Sequence, residues 1–170
     1  MENEIVNRVA QSPLITINLE DFYADGERVL FDISTNLFEG LILREKDFRE
    51  FLKVHDWSNY KDKHVAISCS TDAIIPTWAY MLLTVKLEPY AKTIVYGDLS
   101  KLEEELFKRS IKEIDPSAYK GKKIVIKGCS KVKVPDAIYV EVTRMLSPFV
   151  SSLMYGEPCS TVPIYKATKQ

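Results

Sequence analysis

Long apolar runs are missing from this sequence: no stretch approaches the roughly 18 residues of a membrane-spanning helix, and no such span is expected. The opening residues, MENEIVNRVAQSPLITI, lack the basic region followed by an apolar core that marks a secretory signal, so a cytoplasmic location is expected. An excess of one charge is missing too. The 23 basic and 24 acidic residues are intermixed and leave a formal charge of -1, so no field would steer the chain to nucleic acid or to an anionic membrane.

Glycine and histidine are scarce, at six and two residues. The glycines form neither GxGxxG nor GxxxxGK, which removes the usual phosphate cradles. No GxSxG is present, which removes the nucleophile elbow of a Ser-His-Asp hydrolase. Of the histidines, His55 precedes Asp56 and Trp57 at an expected helix end, where an imidazole would serve as a cap. Three cysteines, an odd number without an export signal, point to reduced thiols and not to a disulfide framework. A chain of 170 residues can bury a core without staples, so Cys69, Cys129 and Cys159 are free for chemistry.

Along the chain, residues 1–59 read as an α+β preface. A short amphipathic helix is expected over Ile5, Val6 and Val9, followed by the apolar runs LITINL and RVLFDI. The Asp25-Gly26 pair between those runs suggests a hairpin-like start. The spacing of Phe48, Phe51 and Leu52 predicts a helix from Glu45 to His55.

From Tyr60 the chain repeats itself. YKDKHVAISCS matches YKGKKIVIKGCS, with Gly128 as an insertion, and Pro76 to Gly97 matches Pro135 to Gly156 without a gap. Tyr80 and Tyr139, Thr84 and Thr143, and the closing Tyr96 and Tyr155 recur in register. Each copy carries a β-branched run suited to a strand buried on both faces. A proline then stands near a helix start, where its missing N–H costs nothing. Pro89 or Pro148 ends the helix, and a second strand closes the copy. Trp78, Tyr80 and Met81 are expected to pack the first helix on the sheet.

This pattern predicts an α/β fold: a mostly parallel sheet built from two tandem βαβ repeats, with helices on both faces. The whole of 1–170 reads as one domain. It comprises the preface, repeat one at 60–97, a linking segment at 98–118, repeat two at 119–156 and a C-terminal tail at 157–170. The linking helix, expected to be exposed, has Ser100 as its N-cap and Glu103 completing a capping box.

Cys69 and Cys129 end the first strands of the two copies, and Cys159 lies just past the last strand. If the first strands are adjacent, all three face the crevice beyond the carboxyl ends of a parallel sheet, where ligands bind. Such a position, between a strand end and a helix N-terminus, favours thiolate, the form that acts as nucleophile and as metal ligand. Three thiolates would hold zinc or part of an iron–sulfur cluster, with His64, Asp72 or Glu157 as a fourth group. No spacing is CxxC, and a cysteine at a strand end also serves as a small core residue.

The strings LREKDFREFLKVHDW, CSTDAIIPTWAYMLL, IKGC and SLMYGEPCSTVPIYK resemble an uncharacterised bacterial family, domain of unknown function 2480, over essentially the whole chain. The resemblance implies a role beside the sulfur-mobilisation system that assembles iron–sulfur clusters, since genes of the family are often found next to it. The expectation is therefore a non-enzymatic accessory or carrier protein that binds metal, cluster or persulfide sulfur and has iron–sulfur assembly proteins as partners. The alternatives are a thiol enzyme with Cys129 or Cys159 as nucleophile, helped by Asp72 or Glu157, and an interaction module whose cysteines are structural. The sequence leaves oligomeric state open.

Overall fold

The computed structural model describes residues 14–128 and 131–168. Its strands are β1 (Leu14–Asn18), β2 (Arg28–Asp32), β3 (His64–Ser68), β4 (Thr93–Tyr96), β5 (Lys123–Lys127), β6 (Ser152–Glu157) and β7 (Ser160–Lys166). Its α-helices are α1 (Glu45–Val54), α2 (Thr77–Leu87), α3 (Leu99–Ser110) and α4 (Asp136–Leu146). The class is α/β and largely parallel, but the strands divide into two sheets, ordered β2-β3-β4 and β1-β5-β6-β7. The chain falls into two compact units accordingly. A continuous unit spans Asp25–Glu105, and a split unit combines the described residues before Asp25 with those from Leu106 onward.

The division corrects two expectations. LITINL and RVLFDI do not form a hairpin: β1 pairs in parallel with β5, and β2 with β3. The first strands of the two copies are not adjacent either. A strand has two edges, and those of β3 are filled by β2 and β4 while those of β5 are filled by β1 and β6. The Asp-Gly pair has another task. Gly26, at φ +133°, lies where a Cβ would come within 2.8 Å of His64 Nε2, and the Asp25 carbonyl stands 3.0 Å from that nitrogen. The helix expected over Ile5, Val6 and Val9 lies outside the described residues.

In the continuous unit the central strand is β-branched or small at every core position. Val65 and Ile67 face Phe31, α1 through Phe48 and Leu52, and α2 through Ala79, Leu83 and Leu87. Trp57 closes this cluster, its indole N–H donating to the Leu52 carbonyl at 3.0 Å. Ala66, between those two residues in the strand, faces the other way and is fully buried. From the same side Arg28 grips Glu103 of α3 with two hydrogen bonds of 2.9 and 3.0 Å, so helices serve both faces of this sheet.

The start of α3 departs from the expected capping box. Asp98, not Ser100, accepts from the Lys101 amide at 2.8 Å, which leaves Glu103 free to bind Arg28. Nor is α3 an exposed linker, because Leu102, Leu106 and Phe107 are buried. Phe107 and Ile111 join the core of the split unit. There Ile17, Ile124, Ile126 and Leu153 pack against Ile138, Val142 and Leu146 of α4. The segment after Gly156, expected as a tail, supplies β7, which pairs antiparallel with β6.

Both copy helices begin as expected, with Pro76 and Pro135 extended at the cap positions. Trp78 and Tyr80 pack against the core, whereas Met81 is 65% exposed. Leu83→Ala should therefore lower unfolding free energy by about 2–5 kcal/mol, and Met81→Ala should stay within about 0.5 kcal/mol, both read from urea denaturation.

Candidate functional site

Each sheet carries a crevice at the carboxyl end of its central strand, where a loop leads into the following helix. In the continuous unit that loop begins at Cys69, directly after β3. Its thiol is half-buried against the α1–α2 core and hydrogen-bonded to the Thr71 hydroxyl at 3.3 Å.

Asp32, at the end of the neighbouring β2, holds this loop in place. One carboxylate oxygen accepts from the Ser34 amide at 2.9 Å and from the Ser70 amide at 3.0 Å, and the Ser70 hydroxyl donates to that of Ser34 at 3.1 Å. Burial opposes the charge, but the hydrogen bonds from Ser70 and Ser34 outweigh it and lower the carboxyl pKa to about 2. The split unit uses a carboxylate in the same way. Glu20 Oε1 accepts from the amides of Lys131 and Val132 at 2.6 and 3.2 Å, in the loop after β5.

Beside Cys69 stand Tyr80 of α2 and Tyr96 of β4, their rings edge to face with centroids 5.1 Å apart. Burial pushes the Tyr80 phenol up, and the neighbouring Tyr96 and Cys69 add to the shift. The pair lines an open cleft of about 580 Å³ with Ala73, Ile75 and Thr77. Tyr139 and Tyr155 repeat the arrangement in the split unit, with centroids 5.7 Å apart, and line a cleft of about 310 Å³.

Of the expected ligands, His64, Cys69 and Asp72 belong to the continuous unit, and Glu157 and Cys159 to the split unit. Cys159 is exposed in the two-residue turn between β6 and β7. Cys129 lies outside the described residues. His64 starts β3 while Cys69 follows its end, so at about 3.3 Å per residue they are separated by about 16 Å, too far to share an ion. His64 is instead buried, with Nε2 against the Asp25 carbonyl and Nδ1 without a hydrogen-bond partner. Asp72 lies on the loop after Cys69 among Leu41, Ile42 and Ile74. Glu157 forms an ion pair with Lys127 at 3.4 Å. Among the described residues, no three His, Cys, Asp or Glu side chains are grouped to hold a metal ion.

Two features of these sites were not singled out from sequence. The Asp32 clamp is local only in its cap on Ser34, while its bond from Ser70 comes from a residue 38 positions down the chain. The tyrosine pairs did give a signal, because Tyr80 and Tyr96 recur in register as Tyr139 and Tyr155.

The family model described as a protein of unknown function (DUF2480) matches residues 3–167. No curated protein and no solved structure matches the chain. Among the described residues, no helix is long and apolar enough to cross a membrane.

A carboxyl pKa held below its ordinary 3.8 contributes stability above that value and loses it as pH falls through about 2. The Asp32 resonance should therefore titrate near 2 by NMR, with the Ser34 and Ser70 amides losing exchange protection over the same window. Asp32→Ala should expose both amides at neutral pH and cost about 1 kcal/mol, as loss of a comparable cap does.

Proposed function

Because the chain belongs to the DUF2480 family of proteins of unknown function, which brings no activity with it, we propose a function from the thiols: a sulfur carrier accessory to iron–sulfur cluster assembly, with Cys69 as the accepting thiol. The observation that carries this reading is the setting of Cys69. It is half-exposed at the mouth of a parallel sheet, bonded to a hydroxyl and flanked by tyrosines, on a loop anchored by Asp32.

That setting fits sulfur better than metal. Zinc or an iron–sulfur cluster needs three or four converging donors, and the described residues group no such set. Persulfide transfer needs one accessible thiol. The Cys69 thiolate attacks the outer sulfur of a donor persulfide, a new S–S bond forms as the donor's S–S bond breaks, and the donor leaves as thiolate. The same exchange, with Cys69 persulfide as donor, passes sulfur onward without a net oxidant. A desulfurase as donor and a cluster scaffold as acceptor are the partner classes this role calls for. Cys159, exposed on a hairpin turn, is a second thiol open to such a partner.

Incubation with a cysteine desulfurase and cysteine, followed by mass spectrometry of the unreduced protein, tests the reading. Peptide mapping should place a sulfur atom on Cys69, and Cys69→Ser should lower the total gain by one sulfur while leaving the fold intact. A Cys69 that alkylates readily but gains no sulfur would overturn the proposal and leave an interaction module with a structural cysteine.

A further inference from the structure

The two tyrosine clefts differ at one position in a way that thiol chemistry does not account for. Thr77 lines the cleft of the continuous unit, and the residue in register with it in the split unit is Asp136. We propose that the split-unit cleft is a binding site for a small organic cation, an amine or amidinium on an apolar or aromatic body.

Its volume of about 310 Å³ lies at the lower end of the range of small-molecule sites, roughly 300–1,000 Å³. Leu153, Met154 and Ile164 supply apolar walls, Tyr139 and Tyr155 supply aromatic rings, and among the described residues no lysine, arginine or histidine lines it. Among the described residues that line the cleft, Asp136 alone carries a formal charge. Its carboxylate has no hydrogen bond or ion pair among the described residues. The cations nearest in sequence to the lining residues are engaged elsewhere, Lys127 with Glu157 and Arg144 with Glu141.

Asp136 also occupies the first turn of α4, whose N-terminus has no side-chain cap. A helix N-terminus carries about half a positive charge, so a full carboxylate there leaves the cleft negative. The cleft of the continuous unit, with threonine at this place, lacks that charge. It also lacks a counterpart of β7, whose Ile164 walls the split-unit cleft.

Gly128 completes the site. A Cβ at this position would come within 2.7 Å of the Tyr139 hydroxyl and 3.3 Å of Val134, so the absence of a side chain leaves room for that hydroxyl at the end of β5. Cationic groups are recognised by such a combination of carboxylate and aromatic rings, while anions are refused by the same carboxylate.

Three probes of one shape and different charge test the proposal: benzamidine, benzamide and benzoate, titrated into the full chain by NMR. Benzamidine should shift the Tyr139, Tyr155 and Ile164 resonances and bind about tenfold or more tightly than benzamide, as a charge-assisted hydrogen bond implies. Benzoate should not bind. Asp136→Asn should reduce benzamidine to the level of benzamide. Ile164→Lys, at a position 52% exposed and therefore tolerant, should abolish benzamidine binding by placing a cation on the wall. Equal binding of benzamide and benzamidine, no shift at those three residues, or unchanged affinity in either variant would overturn it. None of these readouts depends on sulfur transfer, so the proposal stands or falls apart from the carrier reading.

Discussion

Parallel pairing of a preface strand with the buried first strand of each copy is the interaction on which both units depend. A strand such as β3 or β5, apolar on both faces, needs helices above and below and a hydrogen-bonding neighbour on each edge. The second strand of each copy fills one edge after a helical crossover. The other edge would expose a row of unpaired N–H and C=O groups beside the core, and β2 or β1 covers it. The same pairing sets the sites: β2 ends in Asp32, and the turn after β1 carries Glu20, so each preface strand delivers the carboxylate that holds the loop after its neighbour.

How far this was legible in the sequence differs between local and distant features. Helix α1 ends one residue short of the expected His55, and both copy helices follow their prolines, because these boundaries depend on cap geometry and on side-chain spacing within a few residues. Strand partners carry no such local mark. LITINL and RVLFDI have the composition of any buried strand, and the Asp-Gly between them mimics a hairpin turn. Its real constraint, the close approach of His64, comes from a residue well down the chain. The capping box failed for a similar reason. Ser100 and Glu103 have the right spacing, but the distant Arg28 offers Glu103 two charge-assisted bonds, and Asp98 is free to cap.

The Cys-Ser pairs recur in the sequence just after β3 and just after β5, strands that belong to different sheets. A cysteine at the end of a central parallel strand meets the loop, the helix start and the tyrosine pair of its own sheet. Among the described residues Cys69 has this setting, whereas Cys159 stands on the β6–β7 turn. Between the two clefts, single positions carry the differences. Threonine against aspartate at the helix start separates the two clefts in charge, and the glycine inserted after β5 leaves room for the Tyr139 hydroxyl.

The separation of β1 from its partner also bears on how the polypeptide is made. Translation releases residues from the N-terminus, and domains tend to fold as they emerge. Leu14 pairs with Lys123, so β1 is synthesised first among the described strands yet has no neighbour until the whole continuous unit has left the ribosome. During that interval Asp25–Glu105 can assemble a complete three-stranded core, while β1 waits as an unpaired apolar segment. The nascent chain thus passes through a half-built state in which one unit is finished and the other's edge strand is open to chaperones.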